Sequence, residues 1–134
     1  MIENIAQAIM QKFNGSIFKN ALVGGLYFHQ APQDVESPYG VFYFVGTSYD
    51  EYMGGAADAI IEIDLQFSIF SNADDGGSDI ALLAERLTDT YDWQQLNVDG
   101  YKYIKMQREG MSAIDYTDNV WQAVTNYVLG IVKE

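Results

Sequence analysis

From Ala59 onward the chain alternates strictly, with Ile61, Ile63, Leu65, Phe67 and Ile69 on one register and Glu62, Asp64, Gln66 and Ser68 on the other. A period of two over this length predicts a strand with one face buried and one face wet. The next stretch, Ser-Asn-Ala-Asp-Asp-Gly-Gly-Ser-Asp from Ser71 to Asp79, is dense in turn and N-cap residues. Beyond it the period changes to that of a helix. Ile80, Leu83 and Leu87 then share one face, widened by Leu82 and Tyr91.

The flanking segments follow the same logic. Ile2, Ile5, Ala6, Ile9, Met10 and Phe13 stand at helical spacing, with Glu3 in the first turn, Lys12 in the last and Gly15 as a stop, so residues 2 to 13 predict an amphipathic helix. The Gly24-Gly25 break precedes a short strand, Leu26-Tyr27-Phe28-His29. Pro32 and Pro38 bracket a loop, because each fixes its own φ and biases the preceding residue towards extended geometry. The run Tyr39 to Val45 is short, apolar and aromatic, and predicts a strand covered on both faces or nearly so. Gly46 to Asp58 reads as a long, mobile connection that joins this strand to the alternating one as a β-hairpin.

Trp93 to Val98 reads as a short strand or as irregular chain, ahead of an Asp99-Gly100 turn of hairpin type. In Tyr101 to Glu109, Ile104 and Met106 alternate with Lys102, Lys105 and Arg108. Gly110 to Asp118 reads as a polar loop. The chain closes with a strand from about Val120 to Val132, carrying Trp121, Ala123, Tyr127, Leu129 and Ile131 on one face. Two helices and several strands in this order predict an α+β domain: an antiparallel-rich or mixed sheet, two helices packed on one of its faces, and a long β-hairpin connection.

At 134 residues with 49% hydrophobic content, the chain is sized for one domain spanning 1-134, with enough buried surface for a core. It has no cysteine, so disulfides and thiolate sites are excluded. The start, MIENIAQAIMQKF, differs from a secretory signal, and no apolar run is long enough to span a bilayer as a helix. The chain reads as a soluble protein that stays in the cytoplasm until it joins an assembly.

Charge sharpens the picture. The formal net charge is -12, and no lysine or arginine occurs between Asn20 and Glu85, a stretch that holds eleven of the nineteen acids. Nucleic-acid binding by clustered Lys and Arg is thereby excluded for this stretch. It reads either as a source of solubility or as a surface that repels passing DNA.

Candidate chemistry is sparse. His29 is the single histidine, so no histidine cluster or two-histidine relay can form, and a structural role beside Phe28 and Pro32 is the expectation. Asp74 to Asp79 superficially suits calcium, with Glu85 at the distance of a bidentate ligand, but the alternating aspartates of such loops are missing. A helix cap is the better account. Glu62 and Asp64 form a candidate acidic face on one side of the alternating strand, read as solvated rather than catalytic. No catalytic, cofactor-binding or metal-binding residue is assigned. The abundant tyrosines suit core or interface use better than base stacking, which comes with basic grooves.

Taken in order, the N-terminal helix, the Ala31-Pro32 segment leading to Ser37-Pro38-Tyr39-Gly40-Val41, the strand end Leu65-Gln-Phe-Ser-Ile-Phe-Ser71, the helix Ala81-Leu-Leu-Ala-Glu-Arg-Leu87 and the final strand containing Trp121 resemble the tail-completion, or tail-terminator, proteins of long-tailed bacteriophages and prophages. Where that family often has tryptophan at the strand end, this chain has Phe70. The resemblance implies a non-enzymatic virion structural protein, made in the host cytoplasm and located in the virion tail. It implies a homo-hexameric ring that ends polymerisation of the major tail tube protein and joins the tail to the head-tail connector protein, with no cofactor, no sequence-specific nucleic-acid binding and no membrane. Six such copies would carry on the order of seventy negative charges around the DNA channel. Partner contact would fall on Tyr49, Asp50, Glu51, Tyr52 and Met53, and ring contacts on sheet edges and exposed tyrosines. Two other classes of reading are a monomeric acidic adaptor and a small metal-dependent enzyme.

Overall fold

The computed structural model describes residues 1–50 and 60–134, with the backbone alone at 48–50. Along the chain run α1 (Ile2–Asn14), α2 (Phe18–Ala21), β1 (Leu26–Phe28), β2 (Tyr39–Asp50), β3 (Ile60–Ser71), α3 (Ser78–Tyr91), β4 (Tyr101–Arg108), β5 (Ala113–Thr117) and β6 (Val120–Lys133). Among the described residues the six strands form one mixed sheet in the order β1-β2-β3-β6-β4, with β5 also paired to β6. Only β1 and β2 run parallel; the other pairs are antiparallel. This is the expected α+β architecture.

The alternation in β3 sorts its apolar side chains as anticipated, while Ser68 of the expected wet face is buried. Ile63, Leu65, Phe67 and Ile69 are buried, and their antiparallel partners on β6, Leu129, Tyr127, Thr125 and Ala123, point to the same side. Onto this face α1 lays Ile5, Ala8, Ile9 and Phe13, and α3 lays Ile80, Leu83, Leu87 and Tyr91, all in one core. Phe67 sits at its centre, with ring centroids 5.9 Å from Phe42, 4.8 Å from Tyr91 and 5.7 Å from Tyr127. The short helix α2, absent from the sequence reading, adds Phe18, whose ring meets Phe13 edge-on at 5.6 Å.

Two hydroxyls in this core are satisfied internally. Tyr91 donates to the Ile9 carbonyl at 2.9 Å, tying α3 to α1, and Tyr127 donates to Asp92 Oδ1 at 2.5 Å, with Arg108 on the other carboxylate oxygen at 3.3 Å. Burial pushes both phenols well above their ordinary range, and the Asp92 carboxylate adds to the rise at Tyr127. Both groups are held neutral in the fold while unfolded tyrosine ionises near pH 10, so the stability they contribute is complete below about pH 10 and is lost as pH rises above it. In an alkaline titration, the last tyrosines are expected to ionise together with loss of the far-UV circular dichroism signal. Ionisation of all ten near pH 10 in a protein that stays folded would contradict this packing.

Several local expectations change. The strand expected to end at Val45 continues as β2 to Asp50, because Gly46 to Asp50 pair with Asp64 to Ile60 after a bulge at Val45. Gly46 to Asp50 of the expected connection are therefore ladder residues, and its remainder, 51 to 58, lies outside the described residues. The cap of α3 comes from further upstream than an N-cap side chain. Gly77 holds the N-cap position at φ 90, and Asp75 accepts from the Gly77 and Asp79 amides at 3.2 and 2.9 Å. Glycine is favoured there on two counts, since that φ disfavours any side chain and a Cβ would meet the Trp121 ring at a tight 3.2 Å. Asp79 in turn accepts from Ser71 Oγ at 2.6 Å, so these carboxylates serve the helix start.

Residues 94 to 98 are irregular, and the Asp99-Gly100 turn leads into β4 without closing a hairpin. Within β4 a bulge between Tyr103 and Lys105 breaks the alternation, so Met106 is buried while Ile104 is exposed. The expected polar loop from Gly110 to Asp118 contains β5. It forms a two-residue hairpin with β6 through Asp118 and Asn119, both at positive φ, as a type I′ turn requires.

Candidate interaction surfaces

Among the described residues the helices cover one face of the sheet, and the loop between β1 and β2 lies against the other. Glu62 and Asp64 lie on this outer face, side by side as expected. Tertiary structure gives Glu62 a base that the local sequence lacks: Lys105 Nζ stands 3.2 Å from its carboxylate. The two residues are not in adjacent strands. Both pair with Gly130 on the intervening strand β6, and a Cβ there would sit 3.0 Å from Lys105 Cγ. The missing side chain lets the lysine stem cross over β6. Asp64 is exposed, with its carboxylate beside Gly46 of β2.

Of the candidate contact residues, Tyr49 and Asp50 belong to the paired end of β2, opposite Ile61 and Ile60. Glu51, Tyr52 and Met53 lie outside the described residues. The structure thus anchors one side of the proposed contact segment in the sheet.

A depression of about 600 Å³ opens on the outer face between the β1–β2 loop and the sheet, lined by His29, Pro32 and Asp34 on one side and Tyr39, Tyr43 and Phe70 on the other. Tyr39 and Phe70 stack at 5.1 Å, and Gln66 donates to the Tyr43 hydroxyl. His29 is exposed at φ 68, its ring 4.1 Å from Phe28 and its amide bonded to the Phe42 carbonyl. Its partners among the described residues are the Phe28 ring and the Phe42 carbonyl. Among the described residues no three His, Asp or Glu side chains gather in a manner that could hold a metal ion, and no helix is long and apolar enough to cross a membrane.

The sheet edges carry features that local patterns concealed. β1 covers only Gly40 to Phe42, so from Tyr43 to Asp50 strand β2 pairs on one side alone among the described residues. The opposite edge is shared by β4 and β5. There Ile104, Met111, Ile114 and Tyr116 are exposed, as is Trp93. Trp93 is held at φ 54 by donating its amide to the Met106 carbonyl at 2.8 Å, which leaves 64% of the residue exposed. The alternation of Ile114 and Tyr116 ahead of Asp118-Asn119 was the available signal for this edge. No periodic cue marks Trp93.

No known protein family matches the sequence, and no curated protein does. Among solved structures the fold is similar to that of a chain in the virion of a native gene transfer agent particle, with a TM-score of 0.71 and 12% identity over 93% of this chain and 92% of that one. A second solved structure aligns at a TM-score of 0.49 and 11% identity over 92% of this chain and 94% of that chain, too distant to support an argument. At such identities the likeness is one of architecture, and this chain shares its α+β fold, nearly end to end, with a chain of that virion.

Proposed function

We propose that residues 1-134 act as a single structural domain of a phage-like virion, and specifically as a tail-completion protein that forms a ring on the head-proximal end of the tail tube. The observation that supports this most is the end-to-end fold likeness to a chain of the gene transfer agent virion, which covers over nine-tenths of both chains. The sequence resemblance to tail terminators points the same way independently. In this reading the ring ends polymerisation of the major tail tube protein and presents a surface to the head-tail connector, and the segment from Tyr49 to Met53 contacts one of them. The concentration of net negative charge suits a part beside a DNA channel, where basic groups would retain the genome.

The test is assembly. Added to polymerising tail tube protein, the chain is expected to stop growth and give shorter tubes, each with a cap at one end in electron micrographs. Six copies of a 15.0 kDa chain would elute as a species of about 90 kDa once assembled. Unchanged tube lengths, with the protein monomeric at every concentration and absent from tube ends, would reject the proposal.

A further inference from the structure

We infer that copies of this chain join edge to edge, the open half of β2 in one copy accepting β4 of the next, so that one sheet continues from copy to copy. This rests on the ring reading above and supplies its contact.

Three observations carry it. The first is position. Rows across the sheet run Phe44–Leu65–Tyr127–Arg108, Thr47–Ile63–Leu129–Met106 and Tyr49–Ile61–Ile131–Tyr103, so the open half of β2 and the whole of β4 occupy the same end of the sheet. Each is eight residues long, Tyr43 to Asp50 and Tyr101 to Arg108. The other end is arranged differently, because β1 covers β2 there.

Direction is the second. Successive antiparallel pairings set β2 and β4 in opposite directions. A sideways continuation without any flip therefore brings β4 against the next β2 as an antiparallel pair, the more stable kind. The contact joins unlike surfaces, and repeated heterologous contacts of this type close into rings when the rotation allows.

Charge is the third. Of the bases on β4, Lys105 and Arg108 are paired within the copy with Glu62 and Asp92, and Lys102 is exposed with no carboxylate partner among the described residues. The receiving edge lies within the base-free stretch, with the exposed Asp64 carboxylate beside Gly46. Exposed Val45 at the β2 bulge, and Ile104 and Trp93 at the β4 edge, supply apolar contact. Trp93 already occupies the Met106 carbonyl, so pairing centres on Lys102 to Ile104.

Because the protein has no cysteine, introduced pairs report cleanly. The two edges of one copy are three strand spacings apart, about 14 Å, too far for a disulfide within the chain. Chains carrying a cysteine at Val45 or Thr47 together with one at Lys102, Ile104 or Gln107 would be oxidised in concentrated solution and after loading onto tail tubes. At least one pair is expected to give a covalent ladder that continues past the dimer and ends at the ring size, while each single-cysteine variant gives no such ladder. Lys102→Glu in the cysteine-free chain is expected to weaken assembly at least tenfold with an unchanged circular dichroism spectrum. Assembly on tubes without any ladder would overturn this contact and leave the ring intact. Monomers that neither cross-link nor load onto tubes would overturn both.

Discussion

Replacing Gly24 by alanine is expected to cost about 3 kcal/mol or more and to leave little folded protein at physiological temperature. A Cβ at this position would stand 1.8 Å from the Glu36 carbonyl oxygen, 2.9 Å from its carbon and 2.8 Å from the Pro38 oxygen. All three are backbone atoms, so no flexible side chain can move aside. The Gly24 amide also donates to that Pro38 oxygen at 2.7 Å, and the Gly40 amide donates to the Gly25 carbonyl at 2.9 Å. Movement of the Glu36 to Pro38 segment would thus disturb the alignment of β1 against β2. Gly15→Ala is the control, since its nearest contact would be an ordinary 3.6 Å and its φ of -93 suits alanine. Thermal melts of the two variants are expected to differ by roughly 10 °C or more for a chain of this size. Equal melting temperatures would show that the Gly24 loop does not pack as described.

A comparable loss is expected for Phe67→Ala, about 3–5 kcal/mol in urea unfolding, because the deleted ring leaves a cavity among Phe42, Tyr91 and Tyr127. These neighbours come from β2, α3 and β6, and collapse around the void would require all three elements to shift. Phe70→Ala tests the opposite side of the same strand. Phe70 is half-buried on the outer face, where its main ring partner is Tyr39, so its loss is expected to cost about 0.5–1.5 kcal/mol. Similar costs at Phe67 and Phe70 would contradict a sheet covered by helices on one face only.

Charge shows how far a linear reading extends. The stretch from Asn20 to Glu85 is base-free in sequence, yet Lys105 reaches Glu62 across β6 because position 130 has no side chain to block it. Glu62 is therefore compensated within the fold, and Asp64 carries the exposed charge of the pair. The candidate acidic face is thus narrower than two residues of equal standing would suggest. The candidate contact segment beginning at Tyr49 also changes character, since its first residues are ladder positions rather than loop.

The sequence by itself determined the two long helices, the alternating strands β3 and β6, and which of their faces meet. Each of these segments repeats its period over enough residues that one face is far more apolar than the other, and burial of that face outweighs other local preferences. Tertiary structure decided the extension of β2 through Gly46 to Asp50, the strand β5, the bulge that buries Met106 in place of Ile104, and the approach of Lys105 to Glu62. In those places the stabilising partners lie far along the chain. Pairing across strands supplies hydrogen bonds and charge partners that no local period records, so a polar segment becomes a strand and two separate edges come to lie at one end of a sheet.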